Sequence, residues 1–180
     1  MVSVHALDVT DAVSIGGLHK QLDGTPLDVL LNNAGFLGTE PQGLNQTDDE
    51  EWLQEFRVNT LAPYRMAETF LDNVAKSERK QILNISSILA SNGNAFGGYH
   101  PYRATKAGLN AVMKNLAIDL KDQGITVGMF HPGWVRTEMG GPDADISADE
   151  SATALRTIFE KLSHEDTGKY YNYTGEELAW

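Results

Sequence analysis

The sequence predicts an α/β protein in which a parallel sheet carries helices on both faces. Short, nearly continuous apolar runs such as LDVLLNNAG (residues 27–35) are typical of strands buried on both sides. Longer stretches with helical periodicity separate these runs along the chain. Strands that alternate with helices form parallel sheets with right-handed crossovers. No internal repeat or linker is visible, so residues 1–180 are expected to form one domain.

Composition narrows the class of protein further. The net charge of -11 argues against a nucleic-acid partner, because a polyanion requires a basic surface. The chain has no cysteine, which excludes disulfides, thiolate metal sites and a cysteine nucleophile. No apolar run reaches the roughly 18 residues of a membrane span, and the N-terminus lacks the layout of a signal peptide. These features predict a soluble, cytoplasmic protein without a membrane partner.

The first half of the chain should contain two strands and two helices. A strand is expected over VSVHALDV (residues 2–9), and a helix weakened by two glycines over residues 11–22. After the strand in LDVLLNNAG, a long helix should cover residues 47–76. Thr47 and Glu50 have the spacing of a capping box, and Pro63 should bend or interrupt the helix.

The second half repeats the alternation of strands and helices. QILNISS (residues 81–87) reads as a buried strand, followed by a loop rich in glycine and asparagine. A helix should run from Tyr102 to about Asp122 and stop at Gly124. ITVGMFHPGWV (residues 125–135) predicts a strand that ends at Pro-Gly, and a helix over residues 148–162 leads to a last strand in KYYNYT (residues 169–174).

Small polar residues and glycines cluster where the predicted strands end. In open α/β sheets, ligands bind beyond the carboxyl ends of the strands. The candidates at these ends are Asp8, Val9, Asn32, Asn33, Ala34, Gly35, Ser86, Ser87, Pro132, Gly133 and Thr137. Together they resemble a wall for an extended polar ligand such as a dinucleotide.

Tyr102 and Lys106 begin the helix that follows the third of these strand ends. Residues four apart on a helix are neighbours, so the two side chains should share one face. A nearby ammonium favours the phenolate, so Lys106 is expected to lower the tyrosine pKa from about 10 toward a range useful for proton transfer. The Ser87 hydroxyl could donate to a substrate carbonyl oxygen and stabilise charge that develops there.

Several motifs together carry a family resemblance. LLNNAG, VN, NISS, YRATK and HPGWVRTEMG occur in the order and approximate spacing of the short-chain dehydrogenase/reductase superfamily, over essentially all 180 residues. YRATKAGLN, HPGWVRTEMGG and YTGEELAW are similar to the carbonyl-reductase branch that includes the sniffer and C-factor proteins. The resemblance implies a Rossmann-like doubly wound parallel sheet, NAD or NADP as cofactor, and a small carbonyl or alcohol as substrate.

The resemblance also implies a role for each candidate residue. Tyr102 is implied as the general acid/base, Lys106 as its partner that also holds the nicotinamide ribose, and Ser87 as the group that orients the substrate carbonyl. Asn59 is implied as the fourth catalytic residue, holding a water of the proton relay. The cofactor residues implied are Asp8 and Val9 at the adenine, Asn32, Ala34 and Gly35 on the adenosine side, and Pro132, Gly133, Val135 and Thr137 around the nicotinamide. No metal site is implied, and the histidines form no metal-like cluster.

One part of the superfamily pattern has no counterpart in this sequence. Members begin with a strand, a TGxxxGxG turn and a helix, then a second strand that selects NAD or NADP. No such turn occurs here, so the sequence corresponds to the C-terminal three-quarters of the fold, with about 50 residues (the first βαβα unit) absent. Three explanations are open: a truncated full-length enzyme, a genuine short form with reduced or no cofactor binding, or a missing unit supplied by another chain.

These alternatives leave two functions to compare. The first is an NAD(P)-dependent oxidoreductase that interconverts a carbonyl and a secondary alcohol. The second is a cofactor-deficient form that acts as a non-catalytic binding or signalling protein. Tyr99 is expected to be a loop residue and His131 a packed one, while Trp134 either lines the pocket or packs. The resemblance further implies a homodimer or homotetramer.

Overall fold

The computed structural model describes residues 2–180 and contains a four-stranded, wholly parallel sheet. Its spatial order follows the sequence: β1 (Val29–Asn32), β2 (Gln81–Ile85), β3 (Thr126–His131) and β4 (Tyr170–Asn172). Leu31 pairs with Leu83 and Leu83 with Gly128, so the carboxyl ends of the strands lie at one edge of the sheet. The predicted parallel α/β class is confirmed.

Helices connect the strands and flank the sheet. They are α1 (Ala12–Gln21), α2 (Asp49–Phe56), α3 (Ala62–Thr69), α4 (Leu71–Ala75), α5 (His100–Asp119) and α6 (Ala148–Lys161). A π-helical turn, Arg57–Leu61, joins α2 to α3. Short 3₁₀ turns occur at Ile88–Ala90, Lys121–Gln123 and His164–Asp166. Within residues 2–180, no helix has the length and apolar character needed to cross a membrane.

Each face of the sheet carries its own hydrophobic core. Ile82 on β2 packs in one core with Leu109 and Met113 of α5. The next residue, Leu83, lies in the other core with Phe130 and with Leu155 of α6. Successive side chains on a strand point to opposite faces, which explains why the strand sequences read as continuous apolar runs.

The strand predicted over residues 2–9 is wrong. Residues 2–8 have no regular secondary structure, and Val2 and Val4 are 90% and 92% exposed. A strand requires a neighbour to pair its backbone groups, and no strand of the described residues lies beside this segment. The outer position in the sheet belongs instead to β1, where Leu31 remains 45% exposed.

The long helix predicted over residues 47–76 forms as several pieces. Asp48, not Thr47, caps its start by accepting a hydrogen bond from the Glu51 amide at 2.9 Å. The predicted capping box of Thr47 with Glu50 is therefore displaced by one residue. Pro63 follows the π turn, as expected of a residue that has no N–H to donate to the preceding turn.

The helix that carries the candidate catalytic pair begins two residues earlier than predicted. Tyr99 precedes it in the left-handed conformation, with φ 53°, and α5 starts at His100 with Pro101 in its first turn. The helix ends at Asp119, and Gly124 closes the following turn with φ +70°. Tyr102 thus lies in the first turn of α5, directly beyond the carboxyl end of β2.

Candidate active site

Tyr102 and Lys106 share one buried face of α5. Tyr102 is 9% exposed and Lys106 2% exposed. The Lys106 ammonium lies 5.8 Å from the centre of the Tyr102 ring. It donates a hydrogen bond of 2.9 Å to the carbonyl oxygen of Ile85, the last residue of β2. This contact fixes the lysine at the strand end.

The pKa values of this pair differ from the expectation. Burial raises the pKa of Tyr102 to about 12, the Ser87 hydroxyl beside it lowers the value, and the Glu55 carboxylate raises it. Burial also lowers the pKa of Lys106 to about 8. The predicted lowering of the tyrosine pKa by Lys106 is therefore wrong for this structure, because burial disfavours the charged phenolate. At neutral pH the pair holds both protons, which suits a proton donor.

The two serines at the end of β2 have different environments. Ser86 is buried, and its hydroxyl donates to Asn110 Oδ1 at 2.7 Å. Ser87 is half-buried next to Tyr102, and its hydroxyl accepts a hydrogen bond from the Leu89 amide at 3.2 Å. Ser86 thus serves the packing of α5, and Ser87 remains the candidate that faces the phenol.

Tyr170 of β4 holds the backbone of Ser87, because its hydroxyl donates to the Ser87 carbonyl oxygen. Tyr170→Phe should free the Ser87 backbone, so the Leu89 amide, which donates to the Ser87 hydroxyl, should exchange with solvent about tenfold faster. Tyr171→Phe is the matched control, because Tyr171 donates to Asp166 at 2.9 Å instead. Hydrogen exchange followed by NMR checks this, and equal exchange at Leu89 in the two variants would contradict it.

Asn59 lies fully buried in the π turn and ties three segments together. Its Oδ1 accepts from the Phe36 amide at 2.8 Å, and its Nδ2 donates to the Phe36 carbonyl oxygen at 2.8 Å. The same Nδ2 donates to Thr105 Oγ1 at 3.1 Å on α5. The amide therefore joins the loop after β1 to α5, the helix of Tyr102 and Lys106. Its predicted part in a proton relay stays a prediction.

At Gly35, the loop after β1 lies against the side chains of Lys106 and Asn59. A Cβ on Gly35 would lie 3.6 Å from Lys106 Nζ and 3.7 Å from Asn59 Oδ1. A side chain here would therefore fill the space beside the ammonium. The structure thus places Gly35, Asn59, Tyr102 and Lys106 together, with Ser87 beside the tyrosine.

Three of the five residues predicted for the adenine and adenosine side lie at a separate cleft of about 200 Å³, whereas Gly35 lies beside Lys106 and Asp8 does not line the cleft. Val9, Asn32 and Ala34 line it, together with Leu7, Leu31 and Met66. The Asn32 side chain is engaged in a hydrogen bond within the sheet, since its Nδ2 donates to Asn84 Oδ1 at 2.8 Å. Asp8 is exposed next to Val9, and Thr10 donates to its Oδ1 from the backbone at 2.8 Å and the hydroxyl at 2.7 Å.

The residues predicted around the nicotinamide form an ordered loop beyond β3. Gly133 has φ +86°, and a Cβ there would come within 2.6 Å of Ile146. Val135 pairs with Ile146 in an isolated bridge, and Thr137 Oγ1 accepts from the Gly140 amide at 3.1 Å. The Pro132 carbonyl oxygen accepts from Ser151 on α6 at 2.6 Å. The loop is thus held at the strand end next to that of Ser87.

The surroundings of Trp134 and His131 show whether each side chain packs in the core. Trp134 is 51% exposed, and its indole N–H donates to the Gly140 carbonyl oxygen at 2.8 Å, so it is not packed in the core. His131 is largely buried, which lowers its pKa to about 4, as expected of a packed residue.

Sequence reasoning passed over Glu55, Gln42 and Tyr170, which all contact the candidate site. Glu55 lies four residues before Asn59, so helical spacing puts both on one face and could have indicated it. Gln42 and Tyr170 carry no such local signal, because their roles depend on contacts between distant segments.

The parallel sheet and the residues at its strand ends are typical of α/β proteins of the dinucleotide-binding class. Comparison with known families supports this class. The sequence profile described as short chain dehydrogenase matches residues 1–147. This chain belongs to the short-chain dehydrogenase family.

Two solved carbonyl reductases and one curated protein illustrate what this chain is similar to. The Sniffer carbonyl reductase of D. melanogaster superposes with a TM-score of 0.91 at 33% identity, covering 97% of this chain and 76% of that one. The NADPH-bound carbonyl reductase from chicken fatty liver gives 0.90 at 29% identity, covering 99% and 77%. The C-signal of Myxococcus xanthus is 33% identical over 156 residues, which are 86% of this chain and 93% of that protein. The predicted sniffer and C-factor branch is thereby confirmed.

Proposed function

We propose that this chain is an NAD(P)-dependent oxidoreductase that interconverts a small carbonyl compound and a secondary alcohol. The observation that carries the proposal is the buried pair of Tyr102 and Lys106, with Ser87 beside the phenol. Membership of a family of oxidoreductases, and the carbonyl reductases among its relatives, support it.

The residues present fit the nicotinamide end of such a cofactor. Lys106 is a buried ammonium with three N–H donors, one of which bonds to Ile85. Within residues 2–180 it forms no ion pair with a carboxylate. Its remaining donors suit the hydroxyls of a ribose, and Gly35 places no side chain beside the ammonium. Val9, Asn32 and Ala34 line the cleft that suits the adenosine side.

The bound cofactor supplies a hydride, while the side chains of this chain manage the proton and the geometry. Ser87 donates a hydrogen bond to the substrate carbonyl oxygen and orients it. Tyr102 gives its phenolic proton to that oxygen as the carbonyl carbon is reduced, so the products are the alcohol and a phenolate. Lys106 stabilises the phenolate from one helical turn away. Because burial raises the pKa of Tyr102 to about 12, the phenol is protonated at neutral pH, the state that can donate a proton to the substrate oxygen.

A second candidate function is a binding or signalling protein without turnover. The observation in its favour is the match to the C-signal, 93% of which this chain covers. The two candidates differ in whether the chain binds and oxidises a nicotinamide cofactor.

Titration with NADPH and NADH separates them. We expect one cofactor to bind with a Kd below about 1 mM, to raise Tm by mass action, and to support reduction of a quinone or aldehyde. Isothermal titration calorimetry gives the affinity, and loss of cofactor absorbance gives the rate. No binding of either cofactor at millimolar concentration would overturn the enzymatic proposal in favour of the second candidate.

A further inference from the structure

Glu55 is a fully buried carboxyl group that the proposed chemistry does not use. It lies near the end of α2 and is 0% exposed. Its Oε1 accepts a hydrogen bond from the Gly38 amide at 2.8 Å and another from Gln42 Nε2. Its second oxygen, Oε2, is buried with no hydrogen-bond partner in the structure. Buried carboxylates without a cation are costly, so a structural reason for its presence is expected.

Gln42 connects Glu55 to α5, because it hydrogen-bonds to both. The Gln42 side-chain oxygen accepts from the Tyr102 amide at 3.4 Å, and its backbone carbonyl accepts from the His100 amide at 3.0 Å. Both amides are in the first turn of α5, where no residue of the helix itself can accept from them. The chain of contacts therefore runs from Glu55 through the loop to the residue proposed as the proton donor.

The charges around Glu55 are acidic or phenolic. Glu51, on the same helix, and Asp48 line the small cavity beside it, and Tyr102 faces it from α5. The loop contributes the Gly38 amide and the Gln42 amide, which are neutral. Burial is the main cause that raises the pKa of Glu55, and Glu51 adds to the effect. In turn, ionised Glu55 raises the pKa of Tyr102.

We propose that Glu55 is a positioning residue that clamps the loop after β1 onto the first turn of α5. The inference rests on the proposed function, since Tyr102 acts there as the proton donor. Glutamine at this position keeps an acceptor oxygen for the Gly38 amide, whereas alanine removes it.

The clamp is tested without any turnover, by amide hydrogen exchange followed by NMR. Glu55→Ala should speed exchange at Gly38 and Tyr102 at least about tenfold, whereas Glu55→Gln should protect both amides. If Glu55→Ala does not fold, Gln42→Ala gives the same test: the Tyr102 amide should exchange faster, while Gly38 stays protected. Wild-type exchange in these variants would overturn the clamp. Because exchange needs no catalysis, its result stands even if the chain reduces no carbonyl.

Discussion

Tyr102→Phe is expected to reduce carbonyl turnover by about 10²–10⁴, the usual contribution of a general acid. The change removes one oxygen from a side chain that is 9% exposed, so the ring should keep its packing. Binding of the cofactor should change little, because the ammonium of Lys106 and the cleft at Val9 remain. The loss should therefore lie in kcat rather than in the cofactor Kd.

Single-turnover kinetics and calorimetry on the same preparation check this expectation. Tyr99→Phe is the matched control, since Tyr99 is the neighbouring tyrosine and lies before the helix. It should retain nearly full activity. Turnover by Tyr102→Phe within a fewfold of wild type would refute the assignment of Tyr102 as the proton donor.

Lys106→Met is expected to weaken the cofactor and to slow turnover together. The ammonium donates to the Ile85 carbonyl oxygen, and a charged hydrogen bond to a ribose would contribute about 1.5–3 kcal/mol, or roughly ten- to hundredfold in Kd. Lys114→Met is the matched control, because Lys114 on the same helix donates to the Gly168 carbonyl oxygen, also at 2.9 Å. Wild-type cofactor affinity in Lys106→Met would contradict the proposed ribose contact.

The protonation of Lys106 should also make cofactor affinity and folding stability depend on pH, and both can be measured in wild type and in Lys106→Met. Its pKa is lowered from 10.5 to about 8, so cofactor affinity should fall as pH rises through about 8 and the ammonium loses its proton. Folding stability should change the opposite way: between about 8 and 10.5 the unfolded state binds more protons, so wild-type stability rises with pH in that window. Lys106→Met should lack both effects, with a Tm at neutral pH equal to or above wild type.

The order of strands and helices could be predicted because periodicity and turn residues are local properties of the chain. The segment at residues 2–9 shows the limit of such reasoning. Its sequence has the composition of a strand, yet Val2 and Val4 lie exposed, because a strand depends on a neighbour that no local pattern reveals. The helix start at Asp48 was missed by one residue for a smaller reason, since Thr47 and Asp48 are both good capping residues.

The proximity of Tyr102 and Lys106 was easier to predict than the electrostatics of the pair. The sequence places Tyr102 and Lys106 one turn apart, and the structure does the same. The predicted direction of the tyrosine pKa shift was wrong because burial is a property of the folded molecule, and here it is the largest cause of the shift. Glu55 escaped notice because a carboxylate within an acidic helix usually faces solvent, whereas this one is enclosed.

The π-helical turn at Arg57–Leu61 determines which faces of α2 and α3 point in the same direction. The sequence alone predicts these two helices as one. An α-helix rotates by about 100° per residue, so the extra residue of a wide turn rotates everything that follows it. Before the turn, Glu55 faces the loop and α5; after it, Met66 and Ala67 face the core. A one-residue deletion that restored regular winding would turn this apolar pair away from the core while Glu55 stayed in place. The π-helical turn thus lets α2 face the candidate site while α3, which continues from it, faces the core.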